Sequence, residues 1–111
     1  MTSADAELIA ACDRIVANDR EQLAVYAVRR SVADERRTRH ILDALFAEVE
    51  SLMDRIDNLP RPTTLAGVIA MARAARAIAT KAPDGQPVPP CDDEGWLAFE
   101  VMHALAEGVL A

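Results

Sequence analysis

A chain of 111 residues holds one domain at most, with no room for a catalytic domain beside a regulatory one. It is 51% hydrophobic and 27% charged, which excludes disorder, and its net charge of −6 is a poor match for nucleic-acid phosphates. All four glycines and six prolines lie at or beyond residue 60; a β-protein needs a turn every ~8–12 residues, so an all-β fold is excluded.

The first helix is expected over about 4–32. Ser3 is its candidate N-cap, with Asp5 and Glu7 in the first turn, where the helix dipole favours anions. Leu8, Ile9, Cys12, Ile15, Val16, Leu23 and Tyr26 recur at helical spacing. Asn18 and Glu21 read as a capping box, a candidate break near residue 18.

Residues 33–40 are two turns without a large apolar side chain. A second stripe then begins: Leu42, Val49 and Ile56 fall on heptad a positions and Leu45, Leu52 and Leu59 on d positions. It is out of register with the first stripe, by about 100° on a straight helix. The pattern favours a helical hairpin with its corner near 31–37 and a second helix over 34–59, with Ser31 and Asp34 as its candidate capping box. One long bent helix of roughly 80 Å is the alternative.

Pro60-Arg61-Pro62 ends the second helix. Thr63 or Thr64 caps a third, about 64–81. Its first turn carries Gly67, a cost of about 1 kcal/mol against Ala that a close helix contact would offset. Arg73, Arg76 and Lys81 snorkel from it, and Lys81 suits its C-terminal end. Residues 82–91 are a turn and a polyproline stretch. Asp92 or Asp93 caps a fourth helix, about 93–109. Its expected buried face is Leu97, Ala98, Val101, Met102, Leu105 and Val109, and its expected wet face Glu100, His103 and Glu107. The expected fold is therefore all-α, one helical domain over 1–111: a long helical hairpin followed by two shorter helices packed at its open end. Charge alternates by segment, so the basic third helix is expected between the acidic second and fourth.

Glu100-x-x-His103 is half of a di-iron carboxylate motif, but His40 has no glutamate three residues before it, so no metal and no cofactor are expected. Arg36, Arg37 and Arg39 form a basic cluster, the candidate contact for an anion or a partner; no aromatic residue is interleaved for base stacking. Cys91-Asp-Asp-Glu94 reads as an N-cap cluster rather than a calcium loop. No phosphate loop, dinucleotide fingerprint or nucleophile–histidine–acid set is present, so an enzyme is not expected. Cys12 and Cys91 are expected as free thiols, with a bridge between them as the sharper alternative. No basic segment followed by an apolar run opens the chain, and no apolar run approaches the ~18 residues of a membrane span, which favours a cytoplasmic location.

Leu52-x-x-Arg55-Ile56-x-x-Leu59-Pro60, then Thr63-Thr64-Leu65-Ala66-Gly67-Val68 and Ala70-x-Ala72-Arg73-Ala74, resembles a group of small helical proteins of bacterial genomes and prophage regions. Asp5-Ala6-Glu7-Leu8-Ile9 is similar too. Such proteins often carry a polar insert between their first two helices; here only the 33–40 segment stands in its place. The resemblance implies a helical fold and a phage-related setting, and no activity. An Ala-rich core, poor in large side chains, makes a marginal monomer. The expectation is a non-enzymatic interaction protein, a homo-oligomer with a host or phage protein as a further candidate partner. The alternative is a phage-encoded inhibitor or regulator that binds a host protein or nucleic acid.

Overall fold

The computed structural model describes residues 5–27, 32–79, 81 and 86–108. Four helices make it up: α1 (Ala6–Tyr26), α2 (Val32–Asp57), α3 (Leu65–Ile78) and α4 (Asp93–Ala106). No strand occurs among the described residues; an isolated antiparallel bridge joins Lys81 to Pro87.

The hairpin reading holds. Arg14 and Asn18 of α1 bond Glu48 and the Leu45 carbonyl of α2, so positions summing to about 63 face one another and the two helices run antiparallel. The corner differs from the expectation. α2 starts at Val32, so the charged residues 33–40 are its first turns and not a corner. A stretch without large apolar residues can stay helical when it needs no partner to cover it. Ser3 and Ser31 lie outside the described residues. α1 runs unbroken through Asn18, whose side chain is spent on α2 rather than on a cap.

α3 begins at the open end of the hairpin and then runs alongside α1 in the same direction. Asp5 meets Thr64 at one end and Asp19 meets Lys81 at the other. Gly67, Ala70, Ala74 and Ala77 present small side chains at helical spacing, and Ala70 and Ala74 pack with Leu8, Cys12 and Ile15 of α1. Half-buried Leu52, Met53 and Ile56 of α2, with Leu59 just beyond its end, close this core from the other side. Thr64 is the N-cap of α3, accepting from the Gly67 N–H at 3.1 Å. Asp92 caps α4, accepting from the Gly95 N–H at 2.6 Å.

One expectation about neighbours is corrected. The basic α3 lies between α1 and α4, not between α2 and α4. Its cations pair accordingly: Lys81 with Asp19 of α1 at 3.1 Å and Arg76 with Glu107 of α4 at 2.9 Å. Lys81 also donates to the Ala77 carbonyl, at the α3 C-terminal end where a cation was expected.

The faces of α4 are also rotated from the expectation. Leu97, Ala98 and Val101 of the expected buried face are exposed; Met102 and Leu105 are half-buried as expected, Phe99, His103 and Ala106 turn inward with them, and Val109 lies outside the described residues. Apolar residues surround this helix, so periodicity could not choose the face; contact with α3 did. Cys12 is buried, Cys91 is exposed and both are free, as expected; the alternative of a bridge between them is not formed.

The molecule measures 47 × 37 × 22 Å with a radius of gyration of 15.7 Å. A compact chain of this length has about 13 Å. A thickness of 22 Å is two helix diameters, so most helices have one face against protein and one against solvent. No helix among the described residues is long and apolar enough to cross a membrane.

Candidate interaction surface

A polar network fixes how α1 and α2 meet. Arg14 donates twice to Glu48, from Nη2 at 2.7 Å and Nε at 3.0 Å. Asn18, fully buried, donates to Glu48 at 2.7 Å and to the Leu45 carbonyl at 2.9 Å, and accepts from Gln22 at 2.6 Å. Arg14 and then Asn18 hold the Glu48 carboxyl below its usual range, and Glu48 and Glu21 raise the Arg14 guanidinium further.

A second network ties α1 to α3. The buried Asp5 carboxylate accepts from the Thr63 N–H at 3.1 Å, the Thr64 N–H at 2.9 Å and the hydroxyls of both threonines. The Thr64 hydroxyl is the main reason that the Asp5 carboxyl lies below its usual range; the Thr63 and Thr64 N–H groups add to it, against the burial that opposes them.

With these contacts fixed, four of the exposed large apolar residues gather around one hollow of the hairpin. Leu23 and Tyr26 of α1, Phe46 of α2 and Ile78 of α3 are 43–60% exposed. They rim a hollow of about 470 Å³ floored by Ile15, Val49 and Ala77. Leu23 and Tyr26 belong to the stripe expected in the core; here they are exposed at the rim of this hollow. A larger hollow of about 690 Å³ lies between α1, α3 and α4, and is charged, with Arg20, Arg73, Arg76 and Lys81 facing Asp13, Asp19 and Glu107.

Arg36, Arg37 and Arg39 are all exposed on the first turns of α2. Arg36 and Arg39 line a shallow hollow of about 330 Å³ with Glu35 and His40; Arg37 does not. His103 stacks on Phe99, with ring centroids 5.9 Å apart, and its Nε2 lies 3.5 Å from Glu107. Among the described residues no three His, Cys, Asp or Glu side chains are grouped to hold a metal ion. The apolar hollow of the hairpin was missed in sequence because its residues come from three helices. The one available signal was the out-of-register start of the second stripe.

No protein-family model, curated protein or solved structure matches the chain.

Proposed function

We propose that the protein is a non-enzymatic helical interaction protein that associates with copies of itself. One observation carries this reading. Among the described residues Leu8, Ile15 and Ile69 are the large aliphatic side chains that are buried, while eleven large apolar residues are exposed. Single exposed apolar residues are ordinary, but a cluster around a hollow marks an interaction site. The a and d residues of α2 are only half-buried, so its strongest apolar stripe is not fully covered within one chain. The lack of a phosphate-loop or dinucleotide signature in the sequence supports the non-enzymatic part. The resemblance of residues 52–79 to small bacterial and prophage proteins supports a phage-related setting.

Sedimentation velocity at micromolar concentration tests the reading: a mass above that of one chain is expected, and the mass of one chain throughout would refute it. A second reading, a regulator that binds a host protein or nucleic acid, draws on the exposure of Arg36, Arg37 and Arg39. It predicts a low-salt mobility shift with generic DNA or RNA that is lost when the three are replaced together by Ala.

A further inference from the structure

The outer face of α2 carries an ordered row. Arg36, Arg39, Asp43, Phe46, Glu50 and Asp54 follow one another at steps of three or four, so they share one side of the helix. All are exposed. Asp57 continues the row by three. Arg36 and Arg39 occupy one end and Glu50 and Asp54 the other, and Asp43 and Phe46 lie between them, with Phe46 beside the apolar hollow.

Ion pairs cross the contacts between helices within the chain: Arg14 with Glu48, Arg76 with Glu107 and Asp19 with Lys81. By contrast, Arg36, Arg39, Glu50 and Asp54 make no ion pair among the described residues. A row with cations at one end and unpaired acids at the other complements itself when reversed.

Resting on the self-association reading above, we infer that α2 pairs antiparallel with α2 of a second copy about a two-fold axis beside Phe46. In this register Arg39 meets Glu50 of the partner subunit and Arg36 meets Asp54 of the partner subunit. The two contacts are consistent to within one residue, because their positions sum to 89 and 90. Asp43 then faces Phe46 of the partner subunit rather than an acid. Asp57 falls at the N-terminal end of the partner helix, where the dipole favours an anion. A two-fold interface repeats each contact, giving four ion pairs, two on each side of the axis beside Phe46. The parallel alternative sets Arg36 and Arg39 against themselves and the acids against the acids, so the same charges that favour one orientation oppose the other. Phe46, Leu23, Tyr26 and Ile78 provide the apolar area that exposed ion pairs alone would not.

Two charge-reversed chains test this: R36E/R39E and E50K/D54K. Each would set like charges together in a homodimer, whereas a mixture restores opposite charges at both ends. The side chains are exposed, and circular dichroism checks that each variant keeps its helices. Light scattering should give a dimer for the unmodified chain, one-chain mass for each variant alone, and a dimer again for the equimolar mixture. A dimeric unmodified chain with both variants still dimeric would overturn the α2 surface and leave self-association standing. Variants that dissociate but do not recombine would overturn the antiparallel register. An unmodified chain that is monomeric at every concentration would overturn the self-association reading itself, and this surface with it.

Discussion

The Asp5 carboxylate fills the space that a side chain at Gly67 would need. A β-carbon at position 67 would collide with Asp5 Oδ2 and lie 2.9 Å from its Cγ. The carboxylate cannot move aside freely, because the Thr63 and Thr64 N–H groups and both threonine hydroxyls hold it. Glycine at 67 is therefore a packing requirement between α1 and α3, not a conformational one. Gly67→Ala should destabilise the fold by about 1–3 kcal/mol through overpacking, despite a gain of about 1 kcal/mol in helix propensity. The coupling can be isolated with a double-mutant cycle using Asp5→Ala. Once Asp5 is truncated, the same Gly67→Ala change should become neutral or stabilising in urea denaturation. Equal costs in both backgrounds would show that the collision is not the reason for the glycine.

The same carboxylate gives stability a pH dependence. Asp5 titrates below its ordinary 3.8 in the folded chain, chiefly through the Thr64 hydroxyl, and Glu48 below its ordinary 4.5, chiefly through Arg14. When folding lowers a carboxyl pKa, the unfolded chain binds more protons over that interval, so stability rises with pH there. The contribution of both groups is complete above the ordinary carboxyl range and is lost as pH falls through the folded values. Thermal midpoints should hold steady down to about pH 5 and then drop towards pH 3. Asp5→Asn should lower the midpoint at pH 7 and make the acid limb shallower. An acid limb of unchanged slope would mean that Asp5 is not among the groups responsible.

These contacts also show which parts of the fold were legible beforehand. Helix number and the caps at Thr64 and Asp92 are local: each needs a polar side chain three residues before the N–H it binds, and short-range spacing reveals that. The need for a close approach at Gly67 was legible too, as a helix-disfavouring residue in a first turn. Its partner was not. Asp5 looks like a dipole-favoured residue of its own helix, and nothing local announces that its carboxylate holds the capping residue of a helix, 59 residues away. The outward turn of Leu97 and Val101 was hidden for a different reason. Apolar side chains surround α4, and the side that meets α3 is set by contacts across helices, among them Arg76 with Glu107 and Arg73 with the Ala106 carbonyl. The candidate surface was half legible: the cations at 36, 37 and 39 stood out, but their relation to Glu50 and Asp54 appears only once 33–40 is helix rather than corner.

Asn18 is the polar residue on which the hairpin register depends. It is fully buried and binds three groups, two of them on α2. Asn18→Ala removes the donor to Leu45 and Glu48 and leaves the Gln22 amide without its acceptor. A cost of about 1–3 kcal/mol is expected, as for other buried groups left unpaired. Gln22→Ala should cost less, since it removes one contact at a half-buried position. Urea denaturation of the two variants gives the order directly, and a Gln22 effect equal to or larger than that of Asn18 would contradict it.

The two thiols should differ sharply in reactivity. Cys12 lies in the core at 1% exposure, and burial, with the neighbouring Asp13 charge adding to it, pushes its thiol pKa up. Both effects reduce the thiolate, which is the reactive form. Cys91 is exposed at the approach to α4. A thiol reagent such as DTNB should therefore titrate one group rapidly in the native protein. The second should react only as the fold opens, and its rate should rise with urea in step with unfolding. Gly67→Ala, which loosens the junction of α1 and α3, should speed the slow group and leave the fast one unchanged. If both thiols reacted rapidly in the native protein, Cys12 would not be packed between α1 and α3, and the core of Leu8, Ile15, Ala70 and Ala74 around it would be misplaced with it.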